Sequence, residues 1–169
     1  MELVNLEVVR LHEHPQYLKL CCELINDEWP RSETARMMSL QASCDHLPTS
    51  LILINHDKHL LGHCKLTRIP SIPDSCFIET VVISKSMRGQ KLGSYLMGQV
   101  EDYCKSVLNL KMLHLSTKGQ EQFYAKLGYK ICAPTCQERS EALKIADRKS
   151  MKRVRCVSIV PFLSTHLVT

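Results

Sequence analysis

Apolar positions recur with two different periods along this chain, and the changes of period mark its elements. Residues 3–11 (LVNLEVVRL) hold the β-branched Val4, Val8 and Val9 and predict a first strand. His14-Pro15 then opens a stretch in which Tyr17, Leu18, Cys21, Cys22, Leu24 and Ile25 recur at helical spacing, up to Trp29-Pro30. Ser32 with Glu33 behind it is a helix start, and Met37, Met38 and Leu40 carry that helix to about Ser43. From Thr49 the pattern turns to strand. LILIN, LLGHCKLTRI and CFIETVVIS are three β-rich runs parted by His56-Asp57-Lys58 and by Pro70–Asp74, which predicts an antiparallel meander.

A long helix follows over Leu92–Leu108, with Leu96, Val100, Tyr103 and Val107 on one face. Next come a short strand Met112–Thr117, a short helix Glu121–Leu127 stopped by Gly128, and a strand Tyr129–Ala133. The polar stretch 134–152 has a helical tendency in its middle or is a surface loop, and Val154–Leu163 reads as a last strand. The order β-α-α-β-β-β-α-β-α-β-β describes an α/β (α+β) domain, a mixed sheet whose centre is crossed by one long helix.

Composition narrows the class. The chain has 169 residues, which at roughly 100–200 residues per domain predicts one domain over 1–169. Hydrophobic residues are 44% and charged residues 23%, which excludes disorder as a description of the whole. No apolar run approaches the roughly 18 residues a membrane helix needs, and the polar start MELVNLEVVRLHE is no signal peptide. A soluble, cytoplasmic protein is expected, with no membrane partner.

The net charge of +5 suits an acidic partner, but aromatics are only 5%, so nucleic acid is not the expected one. The basic run 148–155 reads as a contact for nucleic acid or an anionic membrane, with attraction of an acidic protein as the competing reading. Nine cysteines is an odd number, several of them inside apolar segments, which predicts reduced buried thiols rather than a disulfide framework. His56, His59, His63 and Cys64 straddle a strand–turn–strand at no common zinc spacing, so no metal is expected.

The segment that carries chemistry is Val81-Val82-Ile83-Ser84-Lys85-Ser86-Met87-Arg88-Gly89-Gln90-Lys91-Leu92-Gly93, a buried strand that breaks into a polar loop and restarts as a helix. Such a turn gathers backbone N–H groups beside the positive end of a helix dipole, and Arg88 adds charge, as a pyrophosphate cradle requires. The spacing is neither GxxxxGK[ST] nor GxGxxG. It resembles the acyl-CoA loop [R/Q]-x-x-G-x-[G/A] of the GNAT acetyltransferase superfamily, with Arg88 and Gly93 at its ends and Lys91 where the middle glycine stands. Phe123-Tyr124-Ala125-Lys126-Leu127-Gly128-Tyr129 is similar to the second GNAT block, FYxxxG[F/Y], although Thr117 and Gln120 replace the Asn and Ala that usually precede it.

The resemblance implies the GNAT fold, a central mixed, mostly antiparallel sheet with splayed central strands and flanking helices, and acetyl-CoA as co-substrate. It implies that Thr80, Val81, Val82 and Ile83 hold the pantetheine arm, that Arg88, Gly89, Gln90, Lys91, Leu92 and Gly93 hold the pyrophosphate, and that Thr117 and Tyr124 complete the cofactor site. Within the superfamily, Trp29-Pro30-Arg31-Ser32, Thr34-Ala35-Arg36, Gly62-His63, Arg68 and Glu79-Thr80-Val81-Val82 look like the branch that acetylates the processed, acidic amino terminus of actin.

That branch implies peptide-side residues Trp29, Arg31, Ala35, Arg36, Met37, Met38 and Arg68, with Lys65 secondary. Trp29 either lines the groove or staples the first helix to the sheet. Glu79 and His114 are the candidates for the general base, against a substrate-positioning carboxylate and a half-buried structural histidine, and Tyr124 occupies the family's usual donor position to the leaving thiolate, with packing as its alternative role. A profilin–actin complex is a further implied partner, without the proline-rich segment that would bind profilin directly. The chain is expected to act as a monomer. Transfer to a lysine side chain or a polyamine, or a non-catalytic acyl-CoA-binding role, are the competing readings.

Overall fold

A computed structural model describes residues 5–117, 119–132, 154–158 and 167–168, and all structural statements concern these. The first strand is β1 (Glu7–Arg10), shorter than the apolar run predicted, because Leu11–Glu13 tightens into a 3-10 turn. Pro15–Tyr17 forms a second such turn and leads into helix α1 (Leu18–Glu28). Cys21, Cys22 and Ile25 form its buried stripe, and Trp29-Pro30 ends it. Helix α2 (Glu33–Gln41) is capped as its sequence predicts: the Ser32 hydroxyl accepts from the Ala35 N–H at 3.3 Å.

The meander is β2 (Thr49–Ile54), β3 (Leu60–Arg68) and β4 (Ser75–Ile83). After it come α3 (Leu92–Ser106), β5 (Met112–Ser116), α4 (Glu121–Lys126) and β6 (Lys130–Cys132), with Gly128 at φ 90° closing α4. Strands β7 (Val154–Ser158) and β8 (Leu167–Val168) complete the order, whereas the polar stretch 134–152 lies outside the described residues.

The sheet runs β1-β2-β3-β4-β5-β7-β6. Strands β1 to β4 are antiparallel neighbours and β5 joins β4 in parallel, so the first five strands make the mixed, mostly antiparallel sheet expected. Beyond β5 the pairing is parallel rather than antiparallel, β7 with β5 and β6 with β7. Hydrophobic alternation cannot distinguish these, because strand direction is set by the connection and not by which residues are apolar.

Helix α3 packs on one face of the sheet and α1 with α2 on the other. β2 is therefore buried along its whole length and reads as a continuous apolar run. Leu51, Leu53, Cys64, Leu66, Ile78 and Val81 face α3, and Ile52, Ile54 and Val82 face α1 and α2. Among the described residues Cys21, Cys22, Cys64, Cys76 and Cys104 are buried free thiols, and Cys44 is an exposed one. Burial pushes the Cys21 thiol up to about 12, far from the reactive range.

Gly62 in β3 is a point of close approach between β3 and β4. A Cβ there would stand 2.7 Å from Ile83 Cδ1 and 2.9 Å from the Val82 carbonyl oxygen, and a backbone atom cannot yield as a side-chain tip can. Gly62→Ala is expected to destabilise the protein by about 1–3 kcal/mol. An unchanged denaturation midpoint would contradict this packing.

Candidate active site

The site begins with one extra residue in β4. Lys65 pairs with Thr80, but the next residue of β3, Leu66, pairs with Ile78, which leaves Glu79 as a β-bulge. Ile78 and Val81 therefore both face α3, while Glu79 and Thr80 turn together to the α1–α2 side. There Glu79 Oε2 lies 3.7 Å from Lys65 Nζ, which also donates to the Ser39 hydroxyl of α2. Lys65 is only 13% exposed and Glu79 41%, so the carboxylate reaches solvent and the ammonium scarcely does.

At the same level the sheet opens. β4 and β5 pair only over Ser75–Ile78 and Met112–Leu115, so Glu79–Ile83 have no partner in β5. This is the splay expected of the central strands. The backbone of β4 does not stay idle, since Leu167–Val168 of β8 run parallel to Val81–Val82.

The turn from α1 to α2 forms one wall. Arg36 is 9% exposed, and its Nε donates to Asn26 Oδ1 at 3.0 Å and its Nη2 to the Trp29 carbonyl at 2.7 Å. Asn26 in turn donates to the Arg31 carbonyl at 3.1 Å. Burial and the nearby Arg31 charge lower the Arg36 pKa, although Glu79 opposes them. Arg36 thus clamps the Trp29–Arg31 turn, and Arg31 itself is exposed. Trp29 packs against the cluster under α1 and α2, as a staple would, and so does Met37; Met38 is 67% exposed and Ala35 half-buried. Arg68 is not brought to this wall. It lies three residues beyond Lys65, about 10 Å along the strand, exposed and donating to the Leu47 carbonyl at 3.3 Å.

β5 and the residue after it supply a row of buried polar groups with no partner among the described residues. Leu113 and Leu115 join the α3-side core, so His114 projects to the opposite face, beside its register partner Phe77. Both ring nitrogens of His114, the Ser116 hydroxyl and the Thr117 hydroxyl lack a hydrogen bond, and burial lowers the His114 pKa. Tyr124 lies on the α3 side, fully buried, with its ring edge-on to Phe123 at 4.9 Å and to Tyr129 at 5.6 Å. Its hydroxyl is also unpartnered, and burial pushes its pKa upward. His114 and Tyr124 therefore flank the open strands from opposite faces of the sheet.

Beyond Ile83 the chain turns through Lys85–Met87 and enters α3 at Lys91, with Gly89 at φ 80° and Lys91 at φ 61°. Arg88 does not extend into the loop. Its Nη2 meets Glu28 Oε2 at 2.8 Å and its Nε donates to the Ile83 carbonyl at 3.2 Å, which pins the loop to the end of α1.

These features fit acetyl-CoA: a β4 segment parted from β5, a loop of backbone N–H groups at a helix start, and orphaned hydroxyls at Thr117 and Tyr124. The sequence of residues 18–129 matches the model of the Acetyltransferase (GNAT) family. The chain belongs to the GNAT family. Its GNAT domain is 36% identical over 126 residues to N-alpha-acetyltransferase 80 of Mus musculus, a match covering 71% of this chain and 40% of that protein. The chain thus spans less than half the length of that curated relative.

Solved GNAT structures share the fold. An acetyltransferase of Trypanosoma brucei superposes with a TM-score of 0.61 at 20% identity, covering 81% of this chain and 99% of that one. An aminoglycoside N-acetyltransferase in complex with CoA superposes with a TM-score of 0.61 at 16% identity, covering 81% and 95%.

Three contributors escaped the sequence reading: Asn26, Ser39 and Glu28. Asn26 carried a signal, a polar residue one helical turn after the buried Cys22, where an amphipathic helix calls for an apolar one. Ser39 and Glu28 carried none, since polar residues near helix ends are ordinary. Among the described residues no three His, Cys, Asp or Glu side chains form a metal-binding group. His63 and Cys64 point to opposite faces of β3, while His56 is exposed and beside Asp57 at 3.2 Å.

His63 is completely buried with both nitrogens unpartnered among the described residues, and burial, Lys65 and Arg36 hold its pKa down to about 3 from 6.5. As pH falls, the unfolded chain takes up this proton first. The stability tied to neutral His63 is therefore complete above about 6.5 and is lost progressively toward about 3. His114 acts in the same direction. His63→Gln is expected to flatten the dependence of Tm on pH across that window, and an unchanged slope would show that His63 is not buried in the neutral form.

Proposed function

We propose that this chain transfers acetyl from acetyl-CoA to the free α-amine of a protein with an acidic amino terminus, and that processed actin is its substrate. The observation that carries the reading is the grouping of Lys65 and Arg36 with Glu79, with the exposed Arg31 beside Arg36, next to the point where β4 parts from β5. A carboxylate-rich terminus entering along the α1–α2 turn would meet cations there, with its amine at the open strands. The likeness to N-alpha-acetyltransferase 80 supports the α-amine as acceptor. A polyamine acceptor would call for several carboxylates, and Glu79 is outnumbered by these cations.

Acetyl-CoA, when bound, supplies an activated thioester carbonyl. Val81 and Ile83 offer backbone groups to its pantetheine arm, and such an arm would displace β8 from the edge of β4. An α-amine titrates near ~7.7–8.0, so one proton must leave before attack, a light demand on a base. His114, kept neutral by burial, accepts it directly or by way of Glu79, whose carboxylate reaches water. A C–N bond forms and the C–S bond breaks. On the opposite face Tyr124, kept protonated by burial, donates its O–H to the departing sulfur and is reprotonated by the second proton that the nitrogen sheds as the amide forms.

Peptides beginning Asp-Asp or Glu-Glu are expected to be acetylated far faster than those beginning Ser, Met or Lys; equal rates across the panel would overturn the acidic-substrate reading. Arg31→Ala should raise KM for acidic peptides roughly tenfold with little change in KM for acetyl-CoA, as a lost substrate contact requires. Tyr124→Phe should lower kcat with KM unchanged; full turnover would leave that residue a packing role. Mass spectrometry of the actin amino terminus in cells with and without the protein tests the substrate itself.

A further inference from the structure

Ser116 stands at the opening between β4 and β5. It is the last residue of β5 and the first beyond the pairing with β4, which stops at Ile78 and Leu115. It is only 3% exposed, and its hydroxyl has no hydrogen bond among the described residues. A buried hydroxyl without a partner is a net cost to folding, and packing gives no return for it. An alanine would fill nearly the same space without that cost.

Its direction follows from its neighbours. Leu113 and Leu115 join the α3-side core, so Ser116 projects with His114 to the other face, the one that carries α1 and α2. One further step of the parallel register from Ile78 and Leu115 sets Glu79 across from Ser116, and Glu79 turns to that same face. The strands have parted at this level, so the two side chains border the gap from its two sides. A carboxylate, a hydroxyl and the neutral imidazole of His114 are thus gathered on the peptide side of the opening, and each can accept a hydrogen bond. Such a set suits a group with several N–H donors and no acceptor, as an ammonium is.

We propose that Ser116 accepts one N–H of the substrate's α-ammonium while Glu79 accepts another, which seats the nitrogen at the edge of the gap and leaves its third proton for His114. The assignment rests on the α-amine reading above and names the seat of that amine. Two fixed contacts orient the nitrogen toward the thioester carbonyl, and orientation is what a hydroxyl contributes here. The buried, unpartnered state of Ser116 is then the cost of holding an acceptor ready for a substrate N–H.

Calorimetric titration of the full chain saturated with CoA tests this contact without turnover. A peptide beginning Asp-Asp is compared with its succinyl-Asp counterpart, in which hydrogen replaces the α-amine. Ser116→Ala should weaken binding of the amine peptide roughly tenfold, the size of one hydrogen bond to a charged group, and leave the Kd of the succinyl peptide and of CoA unchanged. Its Tm should equal or exceed that of the unsubstituted protein, because the unpartnered hydroxyl is gone. Ser116→Thr keeps a hydroxyl and suits a strand, so it should bind the amine peptide nearly as the unsubstituted protein does. Equal weakening of both peptides would overturn the proposal and make Ser116 a packing residue, and unchanged binding of the amine peptide by Ser116→Ala would overturn it as well. An unsubstituted chain that binds CoA but neither peptide would instead overturn the acidic-terminus reading on which the proposal stands.

Discussion

The geometry of the site depends on where β4 stops pairing with β5. A strand buried in the middle of a sheet must satisfy every backbone N–H and C=O, because an unpaired group there forfeits a hydrogen bond with no water to replace it. β4 meets β5 only as far as Ile78 and Leu115, yet it runs on to Ile83. The remainder of its edge is committed to an extended partner. β8 takes that place over Val81–Val82, and an extended acyl-pantetheine offers the same kind of hydrogen-bonding edge. The bulge at Glu79, in the pairing of β4 with β3, falls at the level where β4 parts from β5.

Around that opening the charges are arranged in pairs that restrain elements and in single groups that stay available. Arg36 holds the Trp29–Arg31 turn through Asn26, and Arg88 holds the loop through Glu28. Both are the guanidiniums that a motif would nominate for ligand contact, and both act first on the protein. α1 links the two, since Asn26 and Glu28 lie on its last turn. A cofactor at the loop and a peptide at the turn would thus press on opposite ends of one short piece of helix. Arg31 is exposed, and among the described residues His114 and Tyr124 have no side-chain hydrogen bond and lie on opposite faces of the sheet.

Most of the elements were legible in the residues. The 3.6 period over α1 and α3, the Ser32 cap, the Gly128 stop and the β-rich meander each follow from a local rule, and each recurs in the structure within a few residues. The direction of β7 against β5 did not follow from the residues, because alternation is blind to direction. Of the residues the sequence nominates, Glu79 and Thr80 lie where β4 has left β5, and His114, Thr117 and Tyr124 are buried with unpartnered polar atoms among the described residues, while Arg68 stands apart at the far end of β3.

By itself, then, the sequence determined which stretches are helix and strand, that a polar loop joins a buried strand to a long helix, and that cations outnumber acids along the chain. These are consequences of period, capping and composition, all of which act over a few neighbouring residues. Tertiary structure alone decided which cations remain free. Glu28 and Arg88 stand 60 residues apart in the chain, and only the packing of α1 beside the end of β4 brings them to 2.8 Å. A net charge of +5 names no residue, but a fold that neutralises Lys85 and Arg88 and leaves Lys91 without an ion pair among the described residues does.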